Sequence, residues 1–118
     1  MAGIVRYGSY VPYHRLQRAA IGAGKGERAV ASFDEDSVSM AVEAARDAVR
    51  GGVPLEMLIF ATTSPAYAEK LDTATIQAAL DLPEQVGSVQ LGNTTRAGVS
   101  GLLLGLDLAA AGRPALVC

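Results

Sequence analysis

Residues 55–62 read Leu-Glu-Met-Leu-Ile-Phe-Ala-Thr, an apolar run broken before its closing threonine only by Glu56. A strand with one face in water alternates apolar and polar side chains. A run this continuous has no wet face. It fits a strand covered by helices above and below, as in a parallel sheet. The flanking sequence agrees. Upstream, Val38, Met40 or Ala41, Val42, Ala45 and Val49 recur at helical spacing, with Glu43, Arg46, Asp47 and Arg50 largely on other faces. This predicts a helix over 34–50. Ser32 and Glu35 have capping-box spacing, Asp34 to Asp36 place negative charge at the positive end of the dipole, and Gly51-Gly52 ends the helix.

Downstream, a short helix is predicted over 74–80, with Asp72 or Thr73 as its cap and Pro83 beyond its end. Residues 86–91 read as a strand, 96–111 as a helix closed by Gly112, and 115–118 as a further strand. That last helix carries Gly98, Gly101 and Gly105. Each glycine costs a helix about 0.5–1 kcal/mol relative to alanine, so the pattern implies a neighbour packed very close. At the other end, Gly3 to Val11 is rich in β-branched and aromatic residues and stops at Pro12, predicting the first strand. Residues 15–30, with Gly22, Gly24 and Gly26, predict a short helical turn followed by a mobile loop. The order β-α-β-α-β-α-β makes the fold class α/β, a layered sheet with helices on both faces and right-handed crossovers.

Composition narrows the function. The 118 residues suit one domain with a real core and exclude two ordinary ones. The net charge of −2 gives no basic footprint for nucleic acid or an anionic membrane. A single cysteine, Cys118, excludes an internal disulfide and a Cys-rich metal site, so no metal is expected. Apolar runs fall short of a membrane span and no leader pattern opens the chain, so a cytoplasmic location is expected.

In open α/β sheets, ligands bind beyond the carboxyl ends of the strands. Two turns lie there: Ala61-Thr-Thr-Ser-Pro-Ala-Tyr67, and Leu91-Gly-Asn-Thr-Thr-Arg-Ala-Gly98 leading into the glycine-spaced helix. A side chain in the second turn sits at a helix N-terminus, where free N–H groups and the dipole favour an anion or an acyl oxygen.

Several segments carry a resemblance: Gly-Ser-Tyr-Val-Pro at 8–12, Asp36-Ser-Val-Ser-Met-Ala-Val-Glu-Ala-Ala45, Ile59-Phe-Ala-Thr-Thr-Ser64, Arg96-Ala-Gly98 and the closing Ala-Leu-Val. In order and spacing they resemble the N-terminal half of thiolase-superfamily condensing enzymes. The nearest likeness is to 3-hydroxy-3-methylglutaryl-CoA synthases of the bacterial and archaeal kind, with 3-oxoacyl-(acyl carrier protein) synthase III second. The resemblance implies a thiolase-like half-domain over 1–118, acting in a Claisen-type condensation on coenzyme A thioesters as substrate. It implies a second half of similar fold that supplies a histidine, and an acyl-CoA or acyl carrier protein partner. A homo- or hetero-oligomer is expected. In such enzymes a cysteine at the N-terminus of the third helix takes up the acyl group. The matching position here is Thr95, or Thr94 with a one-residue slip. The glutamate that acts as general acid/base after the second strand corresponds to Thr63.

Three readings follow: a divergent condensing half using Thr94/Thr95 as a hydroxyl or oxyanion-side group, a non-catalytic subunit shaping a partner's site, or a structural piece of a longer enzyme. Thr95 as a helix cap competes with Thr95 as a site residue. Arg96 is a candidate for a CoA phosphate or a carboxylate, against a plain solvated arginine. Lys25 and Arg28 are weaker candidates for CoA phosphates. The Gly22-Ala-Gly-Lys-Gly26 stretch lacks Gly-Lys-Ser/Thr and reads as loop. His14, Glu69, Lys70 and Tyr67 read as surface or packing residues, and Cys118 as a small buried hydrophobe.

Overall fold

The computed structural model describes all residues, Met1–Cys118. Its elements are β1 (Arg15–Gln17), a 3₁₀ turn (Arg18–Ile21), β2 (Glu27–Ala29), α1 (Ser37–Ala48), β3 (Met57–Thr62), α2 (Asp72–Ala79), β4 (Gly87–Gly92), α3 (Ala97–Ala110) and β5 (Ala115–Val117). The central sheet is parallel, in the order β4-β3-β5. The run that decides the fold is its middle strand. Leu58, Ile59 and Phe60 are each at most 2% exposed, so both faces of β3 are covered, as its unbroken apolarity requires.

Alternation sorts the two faces. Leu58, Phe60 and Leu116 join Val38, Val42 and Ala45 of α1, Ile76 of α2 and Val86 in one core cluster. Ile59, Ala61 and Val117 point the other way, to α3. The molecule is therefore a helix/sheet/helix sandwich, the α/β class expected.

The glycines of α3 show how closely the third layer sits. A Cβ on Gly101 would lie 3.3 Å from Ala61 Cβ, and one on Gly105 only 2.7 Å from Val117 Cγ2. The close neighbour implied by the glycine spacing is the chain's own sheet. The face of α3 turned outward is not glycine-rich; it carries Val99, Leu102 and Leu103, all exposed. An α-helix apolar on every side is ordinarily covered on every side.

Several boundaries differ from the sequence reading. α1 starts at Ser37, not Asp34, because Asp36 and Ser39 form a reciprocal capping box. Ser32 and Glu35 instead close the turn before it, the Glu35 carboxylate accepting the Ser32 N–H at 2.9 Å. α2 starts at Asp72, capped by neither Asp72 nor Thr73, whose side chains turn inward. Residues 15–29 form an antiparallel two-stranded ribbon, which Gly22, Gly24 and Gly26 permit by taking positive φ of 68°, 87° and 92°.

The largest departure is at 3–11. The segment is not a strand, and residues 1–13 make no backbone–backbone hydrogen bond. It is held by its side: Gly8 fits against the Ala44 carbonyl of α1, Arg6 Nη1 donates to the Arg50 carbonyl, and the Tyr10 hydroxyl donates to Glu35. β-propensity stabilises a strand only where a neighbouring strand exists to pair with.

Candidate functional site

Parallel pairing brings the two candidate turns together. Thr62 at the end of β3 is in register with Gly92 at the end of β4, so Thr63 and Asn93 leave the sheet side by side. A Cβ on Gly92 would lie 3.6 Å from the Thr62 carbonyl oxygen and 4.0 Å from Pro65 Cγ, so the turns pack directly on one another. Each is tightened by a threonine: Thr62 Oγ1 accepts the Ser64 N–H at 3.1 Å, and Thr94 Oγ1 accepts the Arg96 N–H at 3.3 Å. Asn93 takes φ of 62°, a left-handed conformation asparagine tolerates, and this swings the chain from β4 into α3. Ser37 Oγ donates to the Ser64 carbonyl at 3.0 Å, tying the start of α1 to the same edge.

Thr63, Thr94, Thr95 and Arg96 thus share one end of the sheet, and all are exposed. Thr95 does not cap α3: Arg96 occupies the N-cap without a side-chain bond, and only Thr94 bonds the entering backbone. The N–H groups of Gly98 and Val99, in the first turn, have no backbone partner. The turn bearing Thr94 and Thr95 therefore leads directly into a helix end with free N–H groups. No side-chain acid or base is hydrogen-bonded to either threonine. His14 instead stacks edge-on against Tyr13 at 5.6 Å.

Lys25 and Arg28 are not brought to this edge. Lys25 lies in the loop between the 3₁₀ turn and β2, Arg28 lies on β2 opposite Leu16, and both are exposed. Lys70 Nζ sits 4.6 Å from the centre of the Tyr67 ring, within the loop that follows β3. Cys118 is partly buried beside Ile59, and burial pushes its thiol up to about 11.

One polar constellation escaped the sequence reading. Asp72 and Thr73, both fully buried, face β4. The Gln90 side chain accepts the Asp72 N–H at 2.7 Å and donates to Asp72 Oδ2 at 3.3 Å, while Thr73 Oγ1 donates to Ser88 Oγ at 3.1 Å. Asp72 Oδ1 has no partner. The only sequence signal was polar Ser88 and Gln90 in a strand otherwise suited to burial.

No family model matches the chain. Among curated proteins it is 39% identical over 118 aligned residues to a hydroxymethylglutaryl-CoA synthase of Caldivirga maquilingensis, covering 86% of this chain and 34% of the relative. A hydroxymethylglutaryl-CoA synthase of Archaeoglobus fulgidus is 33% identical, with 95% and 38% covered. The chain therefore spans roughly a third of the length of the curated relatives it matches. Among solved structures, the 3-oxoacyl-[acyl-carrier-protein] synthase III of Aquifex aeolicus superposes with a TM-score of 0.85 at 21% identity, covering 99% of this chain and 44% of that one. The β-ketoacyl-[acyl carrier protein] synthase III of Thermus thermophilus gives 0.79 at 25% identity, with 94% and 39% covered. No helix is long and apolar enough to cross a membrane. The layered fold and the ordered motifs agree with these likenesses: the chain is similar to the N-terminal part of hydroxymethylglutaryl-CoA synthases, in a fold shared with 3-oxoacyl-(acyl carrier protein) synthase III.

Proposed function

We propose that residues 1–118 form the N-terminal half-domain of a thiolase-superfamily acyl-CoA condensing acyltransferase of the hydroxymethylglutaryl-CoA synthase kind, joined in action to a second half. The observation that carries this reading is the register of Thr62 with Gly92, which sets Thr63 beside Asn93–Arg96 at the sheet's carboxyl edge. A coenzyme A thioester is the proposed substrate. Thr95, or Thr94, presents the hydroxyl: its oxygen attacks the thioester carbonyl carbon, the C–S bond breaks, and the coenzyme A thiolate leaves, taking up the hydroxyl proton. A threonine hydroxyl needs a base for this step, and the complementing half supplies it. The first-turn N–H groups of α3 receive the developing oxyanion. Thr63 stands where such synthases place their acid/base carboxylate and orients a hydroxyl or water instead. Arg96 binds a phosphate or carboxylate of the substrate, with Lys25 and Arg28 on the ribbon as outlying phosphate contacts.

A non-catalytic role is the second reading. It is favoured by the absence of an acid or base on Thr94 and Thr95 and by the use of Thr94 Oγ1 within its own turn. Here the chain would shape a partner's site rather than carry the acyl group.

Intact-mass analysis after incubation with acetyl-CoA and acetoacetyl-CoA separates the two. The assembly is used as purified, including any complementing polypeptide. An acyl adduct mapping to Thr94 or Thr95 supports catalysis. Absence of an adduct, together with unchanged turnover in Thr94→Ala and Thr95→Ala, rules it out for this chain.

A further inference from the structure

Residues 63–71 leave β3 at the candidate edge and lead back into α2. Residues 63–70 make no backbone–backbone hydrogen bond, and most of the segment is exposed. One strand grips it at both ends. Ser88, Gln90 and Gly92 alternate along β4 and so share a face. Gly92 packs against Pro65 near the upstream end. At the downstream end Gln90 holds the Asp72 N–H and carboxylate, and Ser88 accepts the Thr73 hydroxyl one residue further on. Gln90 stands opposite Phe60, two residues short of the edge at Thr62 and Gly92. At about 3.3 Å per residue, the downstream grip is about 7 Å from that edge. The same strand runs on through Asn93 into the turn of Thr94 and Thr95.

The pair carries a cost. Asp72 Oδ1 is buried with no partner, and a buried polar atom left unbonded destabilises a fold. Apolar side chains at both positions would remove that unbonded oxygen. What the hydrogen bonds add is direction. Apolar contacts tolerate a slide of the helix along the strand, whereas a two-point bond between Gln90 and Asp72 admits one placement. We propose that Gln90 and Asp72 are positioning residues for the candidate thioester site. They hold the segment 63–71, Thr63 included, in one register against the turn of Thr94 and Thr95. Neither touches the substrate; each acts through the backbone it holds. The proposal rests on the reading of this edge as the substrate site, and the experiment separates the two.

Acetyl-CoA affinity and amide exchange test it, measured on the assembly as purified with any complementing polypeptide present. Gln90→Glu keeps an acceptor for the Asp72 N–H but sets a second carboxylate against the first. It is expected to weaken acetyl-CoA binding at least about tenfold and to speed exchange similarly at residues 63–71. Adding Asp72→Asn exchanges donor and acceptor, so that the side-chain amide at position 72 donates to the carboxylate at 90. The double variant is expected to regain the parent affinity to within about threefold. Unchanged affinity in Gln90→Glu, with only the urea midpoint lowered, assigns the pair to stability alone and overturns the proposal. Failure of the double variant to recover affinity overturns it too. If Gln90→Glu does not fold, Gln90→Asn takes its place, its amide one methylene short of Asp72, and unchanged affinity there overturns the proposal. If the parent assembly binds no acetyl-CoA, the edge is not a thioester site and the proposal falls with that reading.

Discussion

Gln90 holds the first residue of α2 at two points, accepting the Asp72 N–H and donating to its carboxylate across the β4–α2 interface. Asp72 is fully buried, and its other oxygen is already unpartnered. Removing the amide leaves a buried N–H and a buried carboxylate without hydrogen bonds. Gln90→Leu is expected to destabilise the fold by about 2–4 kcal/mol, read as a lower urea midpoint. A loss below the detection limit would mean that water already serves these atoms.

Two glycines of one helix are expected to respond in opposite ways. A Cβ at Gly98 meets nothing within 4 Å, so Gly98→Ala gains about 0.5–1 kcal/mol of helix propensity. A Cβ at Gly105 meets Val117 Cγ2 at 2.7 Å, and overpacking there costs about 1–3 kcal/mol. Thermal melts of the two variants should shift in opposite directions. Equal shifts would mean that α3 does not sit on β5 as described.

The tie between Tyr10 and Glu35 should be acid-sensitive. The Tyr10 hydroxyl holds the Glu35 carboxyl below the ordinary value of 4.5, helped by the Ser32 N–H, and the carboxylate in turn raises the tyrosine. A carboxyl depressed in the folded state stabilises fully above its unfolded pKa and loses that contribution as pH falls through the folded value. The segment around Tyr10 should therefore loosen below about pH 4.5, seen as faster amide exchange at residues 8–12. Glu35→Gln should flatten this dependence. Because the pair is exposed, the global melting temperature should move little.

Cys118 should be a slow nucleophile. With its thiol raised to about 11 by burial, little thiolate exists at pH 8. Iodoacetamide labelling of the native chain is expected to run at least about tenfold slower than in denaturant. Comparable rates would place Cys118 outside the protected edge of the sheet.

Much of the fold was legible in local sequence because single elements carry their own periodicity. The run at β3, the stripe of Val38, Val42 and Ala45 in α1, and the glycine spacing of α3 each encode what covers them. The turns bearing Thr63 and Thr94–Arg96 were legible for the same reason, since each follows a recognisable strand. The composition of residues 3–11 favours a strand, but pairing is a property of two segments, and no segment of the chain pairs with this one. The Asp72–Gln90 contact was hidden because it joins positions eighteen residues apart on two different elements, which no single element's periodicity relates. The competing caps at Ser32 and Asp36 are a subtler case. Both have the right spacing toward a downstream partner, and only the geometry of the entering chain chooses between them.

The measurement that bears most directly on the proposed role is a titration of the isotopically labelled protein with acetyl-CoA, followed by backbone amide shifts. It is made on the assembly as purified, with any complementing polypeptide present. The expected result is saturable movement of Thr63, Thr94, Thr95 and Arg96, the residues that the pairing of β3 with β4 gathers at one edge. Saturable shifts confined to Lys25 and Arg28 on the ribbon, or none at the β3 and β4 turns, would contradict a thioester site at this edge.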